Sequence, residues 1–193
     1  MIAEAIARVE PLVLASRSPQ RRAILEQLGI PFSVVEPDYD EHDPPAATPA
    51  QVAALHARGK ARSVAGRAVL GVDTVVAIDG VVLGKPADEA DAAEMLARLA
   101  GRVHTVHSGL CLRVEGAEHE RAATTLVGFR PLSARDIDWY VGCGEWRGRA
   151  GGYAVQGRGA ALVERLEGDY FNVVGLPVAV LIDALGGSDP QSD

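Results

Sequence analysis

Apolar residues in this chain come as short runs and as helical stripes, and their order lays out the elements before any chemistry is considered. Residues 12–15, Leu-Val-Leu-Ala, form an apolar run suited to a buried strand, and Ser18 followed by Pro19 is an N-cap with proline in the first turn of a helix. That helix is predicted to reach about residue 28, with Ile24, Leu25 and Leu28 on its inner side and Gly29 as a left-handed stop. Thr48-Pro49 opens a second helix that Gly66 closes, and Lys60 falls inside it. Residues 69–78 are rich in valine and read as a central strand carrying Gly71 and Asp73, after which Asp79-Gly80 is a hairpin turn into residues 81–83.

Ala92, Met95, Leu96 and Leu99 recur on one face and predict a helix over 89–100, ended by Gly101. Residues 103–114 and 122–129 read as strands flanking a hairpin loop at 115–118, and Ser133 with Asp136 starts a helix whose apolar stripe is Ile137, Tyr140 and Val141. Beyond the glycine-rich stretch 148–159, residues 161–166 and 170–174 are two more strand candidates. Pro177 begins a last helix to about residue 185, and 186–193 reads as a flexible tail. Hairpins mixed with helical crossovers predict an α/β or α+β architecture in one domain over residues 1–185.

Composition narrows the partners. With 48% hydrophobic residues in 193, the chain can bury one core, and a net charge of −7 argues against a general nucleic-acid-binding surface, which needs clustered excess Lys and Arg. A small anionic ligand is still allowed, because a few cations focused in a cleft can hold it. Cys111 and Cys143 form no metal knuckle or redox pair and read as reduced thiols, which fits the cytoplasm. Glu4, Arg8 and Glu10 interrupt the first eleven residues, so no signal peptide is expected, and no apolar stretch is long enough to span a bilayer.

Ser16-Arg17-Ser18-Pro19-Gln20-Arg21-Arg22 puts hydroxyls and guanidinium groups at a strand-to-helix turn, where backbone N–H groups and the helix dipole favour an anion. Cations are disfavoured at that end of a helix, a conflict that a bound anion resolves; a surface pair reaching acidic neighbours is the alternative. Asp73 is costly inside a valine-rich strand unless it is paired or metal-bound, so a site role and a structural ion pair are both open. Lys85, between Gly84 and Pro86, sits on a rigid turn that aims its ammonium, whereas Lys60 on composition is an ordinary lysine. The acidic loop at 36–43 reads as solvated, with Glu41 or Asp40 available to a hard cation such as Mg2+. Gly142-Cys143-Gly144-Glu145-Trp146-Arg147 lacks the third glycine of a dinucleotide fingerprint, and no Gly-Lys-Ser/Thr is present, so Rossmann and P-loop readings fail. Histidines 42, 56, 104, 107 and 119 show no zinc-type pair and are assigned structural or surface roles.

Five islands carry a resemblance: 14–22, Gly71-Val72-Asp73-Thr74-Val75-Val76, Gly84-Lys85-Pro86, Gly151-Gly152-Tyr153-Ala154-Val155-Gln156-Gly157 and Asn172-Val173-Val174-Gly175-Leu176-Pro177. Together, and in this order, they resemble the Maf family of nucleoside triphosphate pyrophosphatases over residues 12–185. The resemblance implies an α/β fold of the Maf/ITPase-like type, an elongated mixed sheet with flanking helices forming two lobes around a nucleotide cleft. It implies hydrolysis of a triphosphate to monophosphate and pyrophosphate with a divalent cation, usually Mg2+ and alternatively Mn2+, in a cytoplasmic homodimer. Asp73 matches the family's proton acceptor for the attacking water, with metal ligation as its other role; Ser16, Arg21, Lys60 and Lys85 match phosphate contacts, and Glu41 an acidic position linked to the metal. Gln20, Thr74 and Gln156 fall at the positions tied to base preference. Thr74 and Gln156 resemble the dTTP/UTP branch rather than the 7-methyl-GTP branch, whereas Gln20 differs from the Arg of the first and the Trp of the second. Two other readings stand beside this: a noncatalytic nucleotide-binding regulator of cell division, and a house-cleaning pyrophosphatase acting on ITP or XTP.

Overall fold

Leu12, Val13, Leu14 and Ala15 are all buried, so strand β1 (Leu12–Ala15) is covered on both faces. A strand with no polar face needs helices on both sides of its sheet. A computed structural model of the chain describes residues 2–186 and supplies them; residues 187–193 of the expected tail lie outside the described residues. β1 runs parallel between β2 (Phe32–Val35) and β3 (Ala68–Ile78). β3 then pairs antiparallel with β4 (Val81–Leu83) and β5 (Val103–Val114), β5 with β6 (Ala117–Phe129), and β6 with β7 (Val163–Glu167). The order is β2-β1-β3-β5-β6-β7 with β4 beside β3, a mixed sheet of seven strands among the described residues.

The helices are α1 (Ile2–Arg8), α2 (Pro19–Gln27), α3 (Pro49–Ser63), α4 (Glu89–Leu99), α5 (Ala134–Val141), α6 (Tyr170–Val174) and α7 (Val178–Gly186). Their starts follow from side chains that accept the otherwise unpaired first N–H groups: Ser18 for α2, Thr48 for α3, Asp88 for α4 and Ser133 for α5. One sheet face carries two apolar clusters. Leu12, Leu14, Leu70, Val72 and Leu110 pack with Ile24 of α2 and Leu181 of α7, while Val76, Val106 and Val127 pack with Leu96 of α4, Tyr140 of α5 and Tyr153. β3 and β5 are long enough to serve both, which joins two lobes through one sheet.

α3 covers the opposite face, through Val52 and Ala53 against Val75 and through Ala57 and Ala61 against Cys111. Its backbone comes so close that a Cβ on Gly71 would lie 2.2 Å from the Ala57 carbonyl oxygen, and one on Gly109 would lie 2.4 Å from that of Ala53. Glycine is required at both positions by space rather than by conformation.

Several expectations need correction. Residues 170–174 were expected as a strand and form α6: the Asp169 carboxylate accepts from the Phe171 N–H at 2.7 Å, and Gly175 ends the turn at φ 128°. A five-residue apolar run does not by itself distinguish the two. β6 starts at Ala117, five residues earlier than its expected start, because Glu115-Gly116 alone make the turn, both at positive φ. The charged sequence Glu118-His119-Glu120-Arg121 hid this half of the strand. β7 runs over Val163–Glu167 because Gly157–Ala161 is a 3-10 turn. Neither α1 nor the edge strand β2 was expected; Ser33, Val34 and Val35 are exposed and give no alternation to read.

The β1 ladder on β3 ends at Ala15 and Gly71, and the β4 ladder begins at Val76 and Leu83. Residues 72–75 of β3 therefore lack a strand on that edge among the described residues, while β5 covers the other edge throughout. Gly109→Ala, which pushes a methyl into helix backbone, is expected to cost about 3 kcal/mol, a fall of roughly 6–12 °C in Tm. Gly84→Ala, whose Cβ meets nothing within 4 Å, should stay within about 0.5 kcal/mol in the same thermal melt.

Candidate functional site

The unpaired stretch of β3 opens into a cleft of about 520 Å3, within the roughly 300–1,000 Å3 of small-molecule sites. Four parts of the chain meet there: the β1–α2 turn with Ser16 to Arg21, the acidic loop with α3 behind it, β3 with the turn carrying Lys85, and residues 148–150 with 173–175.

Asp73 and Lys60 are each only 8% exposed, and they face one another because Lys60 lies one turn beyond the close contact between Ala57 and Gly71. Lys60 Nζ donates to Asp73 Oδ1 at 2.6 Å and pairs with Glu41 Oε1 at 2.7 Å. Burial alone would push the Glu41 carboxyl up, but the Lys60 hydrogen bond and charge, helped by His56 and Lys85, hold it below the usual carboxylate range. A buried carboxylate robbed of such a partner is strongly destabilising, which explains why a polar pair is tolerated in this strand.

Arg21 is buried on the other side of the gap. Its Nε donates to the Gly175 carbonyl at 2.8 Å, Nη1 to Ser16 Oγ at 3.2 Å and Nη2 to Thr74 Oγ1 at 3.2 Å. Burial lowers its pKa, and the charges of Asp73 and Glu41 work against that. Thr74 Oγ1 also shares a 2.8 Å hydrogen bond with Ser108 Oγ, so the threonine is fixed in place. Gln20 lines the cleft and accepts from Ser18 Oγ at 3.2 Å, and Lys85 is exposed at the rim. Gln156 is exposed and is not among the lining residues, so the cleft brings together Ser16, Gln20, Arg21, Glu41, Lys60, Asp73, Thr74 and Lys85 without it.

Sequence reasoning missed how the acidic loop is held. His56, read as structural or surface, is buried on α3 with Nε2 2.7 Å from Asp43 Oδ1 and Nδ1 3.0 Å from the Tyr39 hydroxyl. A carboxylate only accepts, so Nε2 donates to it, and in the neutral ring Nδ1 accepts from Tyr39. The Tyr39 ring lies over Gly59, where a Cβ would come within 2.2 Å of it. Burial, then the charges of Glu41 and Asp73, raise the Tyr39 pKa, so the hydroxyl keeps its proton. The legible signal was the spacing of residues 56, 59 and 60 on one helical face. Other candidates are structural: His104, lowered to about 4 by burial, bonds the Tyr153 hydroxyl at 2.8 Å, and burial pushes the Cys111 thiol up to about 11.

Glu41 and Asp73 each direct an oxygen at the same Lys60 nitrogen, so two hard donors converge at one point. Among the described residues no group of three His, Cys, Asp or Glu is placed to hold a metal ion. Two carboxylates with phosphate and water completing the shell is the ligation Mg2+ adopts, so these residues fit it.

The family of Maf-like proteins matches the chain over residues 11–187. The chain is 50% identical over 178 residues to a protein of Symbiobacterium thermophilum named dTTP/UTP pyrophosphatase, covering 88% of this chain and 90% of that one. A protein of the same name from Thermus thermophilus is 50% identical over 169 residues, with 88% and 90% covered. One from Deinococcus radiodurans is 40% identical over 191 residues, with 97% and 96% covered.

Gly59→Ala separates the loop's attachment from helix stability, since alanine favours a helix by about 1 kcal/mol over glycine. Its methyl displaces Tyr39, so the urea midpoint should hold or rise while chymotrypsin cuts after Tyr39 faster than in the parent. Unchanged cleavage would show that Tyr39 does not fasten the loop.

Proposed function

The chain belongs to the Maf family, and we propose that it is a nucleoside triphosphate pyrophosphatase that hydrolyses dTTP or UTP to the monophosphate and pyrophosphate. The observation that carries this reading is the Asp73 carboxylate at an open strand edge, bonded to a buried ammonium and facing cations drawn from three other segments. The pyrimidine substrate rests on the relatives' names, on Thr74, and on the resemblance of Gln156, although Gln156 itself lies outside the cleft lining.

In this reading Lys60 and Lys85 attract the triphosphate, Ser16 offers a hydroxyl, and Arg21 supplies a fixed positive charge without needing to move. A phosphate oxygen that takes up Lys60 releases Asp73 to face a water. The water oxygen forms a bond to the α-phosphorus as the bond to the bridging oxygen breaks, pyrophosphate departs, and the water's proton passes to Asp73 Oδ and then to solvent. A carboxylate is a weak base near neutral pH, so its alignment of the water matters as much as its uptake of the proton. A divalent cation, Mg2+ or alternatively Mn2+, held by Glu41 and Asp73 would offset charge on the phosphates. Two free thiols support a reducing, cytoplasmic setting, and no helix among the described residues is long and apolar enough to cross a membrane.

With Mg2+ and a panel of triphosphates, dTTP and UTP are expected to give monophosphate and pyrophosphate. Diphosphate and orthophosphate as products would refute attack at the α-phosphorus; binding without turnover would favour a regulator, and preference for ITP or XTP would move the substrate to purines. Asp73→Asn should lower the rate at least ~100-fold with an unchanged circular dichroism spectrum. Chelation with EDTA should abolish turnover, and added Mg2+ should restore it.

A further inference from the structure

The cations around the cleft fall into two sets. Lys60 is held by Asp73 and Glu41, Arg21 by Gly175, Ser16 and Thr74, and Arg17 by Glu36. Lys85 and Arg149 have no hydrogen-bond or ion-pair partner for their side chains among the described residues, and the buried Arg149 Nε is left without an acceptor. A buried donor without an acceptor is costly, and more so on a charged group.

The backbone places Arg149 deliberately. Gly148 and Gly151 turn at φ 71° and 70°, the Arg149 N–H donates to the Trp146 carbonyl at 3.0 Å, and the Gly152 N–H donates to that of Arg149 at 3.1 Å. The Gly151 N–H donates to the Gly84 carbonyl at 3.0 Å, which ties this segment to the turn carrying Lys85. A Cβ on Gly151 would lie 2.8 Å from Val76 Cγ1, so the segment is pressed against β3 where the open edge ends. Arg147 is engaged elsewhere, over the Trp146 ring at 4.5 Å and 3.3 Å from Glu89.

We propose that Arg149 is a further substrate-binding residue, which with Lys85 takes the two phosphates that leave as pyrophosphate; this rests on the pyrophosphatase reading above. The α-phosphorus has to sit at Asp73, so one flank of it receives the nucleoside and the other the remaining phosphates. Two unpaired cations on the β4 flank match the more charged end. The guanidinium fork suits two phosphate oxygens at once, and Nε is one of its donors.

The test is Arg149→Gln beside Arg149→Lys, each compared with the wild type in steady-state hydrolysis and in inhibition by inorganic pyrophosphate. Arg149→Gln is expected to raise KM for the triphosphate and the inhibition constant of pyrophosphate, each on the order of 10- to 100-fold, while monophosphate binding stays as it was. Arg149→Lys, which keeps the charge and loses the fork, should fall between. An equal loss of monophosphate binding, or an unchanged pyrophosphate constant, overturns the assignment. In the wild type, the Arg149 Nε–H resonance should shift as inorganic pyrophosphate is added, so the proposal stands or falls even if a variant does not fold. A wild type that releases no pyrophosphate from any triphosphate would instead defeat the underlying reading.

Discussion

The distance between α3 and the sheet governs the site. Without side chains at Gly71 and Gly109, the helix lies against the backbone of β3 and β5, and Lys60 reaches Asp73 at 2.6 Å. A sheet-covering helix held farther away by ordinary side chains would leave Asp73 either buried alone, at a cost of several kcal/mol, or open to water. The same helix face carries His56 and Gly59, which fasten Tyr39 and Asp43 and so bring Glu41 to the other side of the ammonium. Close backbone packing thus fixes three charged groups.

The second condition is a gap. β3 is eleven residues long, and its edge passes from β1 to β4 with residues 72–75 between them unpaired. Strand alternation sends Asp73 toward α3 and Thr74 toward Arg21 and Ser108, so a ligand at the gap meets both layers at once. The turns at 16–21 and 84–85 and the segment at 148–150 all line this opening, and hydrogen bonds from Arg21 to Gly175 and from Gly151 to Gly84 tie its walls together.

Much of this was legible in the sequence. Caps at Ser18, Thr48 and Ser133 and the Asp79-Gly80 turn set most boundaries to within a residue or two, because each satisfies a local backbone need. Arg21 and Asp73 stood out because their chemistry conflicts with their local setting, Ser16 because it lies at a strand-to-helix turn, and Lys85 because Gly84 and Pro86 make its turn rigid. What was not legible depends on contacts distant in sequence. Lys60 looked like any exposed lysine, His56 gave no sign of Tyr39 and Asp43, and Arg149 lay in a glycine-rich stretch whose course is set by Gly84 and Val76. Residues 170–174 were misread because a short apolar run lacks a period, and only Asp169 and Gly175 decide it.

A charge argument joins these parts. The chain carries a net −7, and two carboxylates stand at the point where a triphosphate would have to approach. Lys60 balances only one of those charges, and Arg21, though fixed nearby, is enclosed by the protein's own acceptors. Bringing several more negative charges beside Asp73 is unfavourable unless further positive charge comes with them or already waits there. Lys85 and Arg149 wait there, unpaired, on one flank. A divalent ion carried in by the phosphates would supply the remainder beside Glu41 and Asp73, where Lys60 now holds the two oxygens together. The buried lysine therefore does more than neutralise Asp73. It holds an oxygen of each carboxylate at one point, so a divalent ion would meet two hard donors already placed.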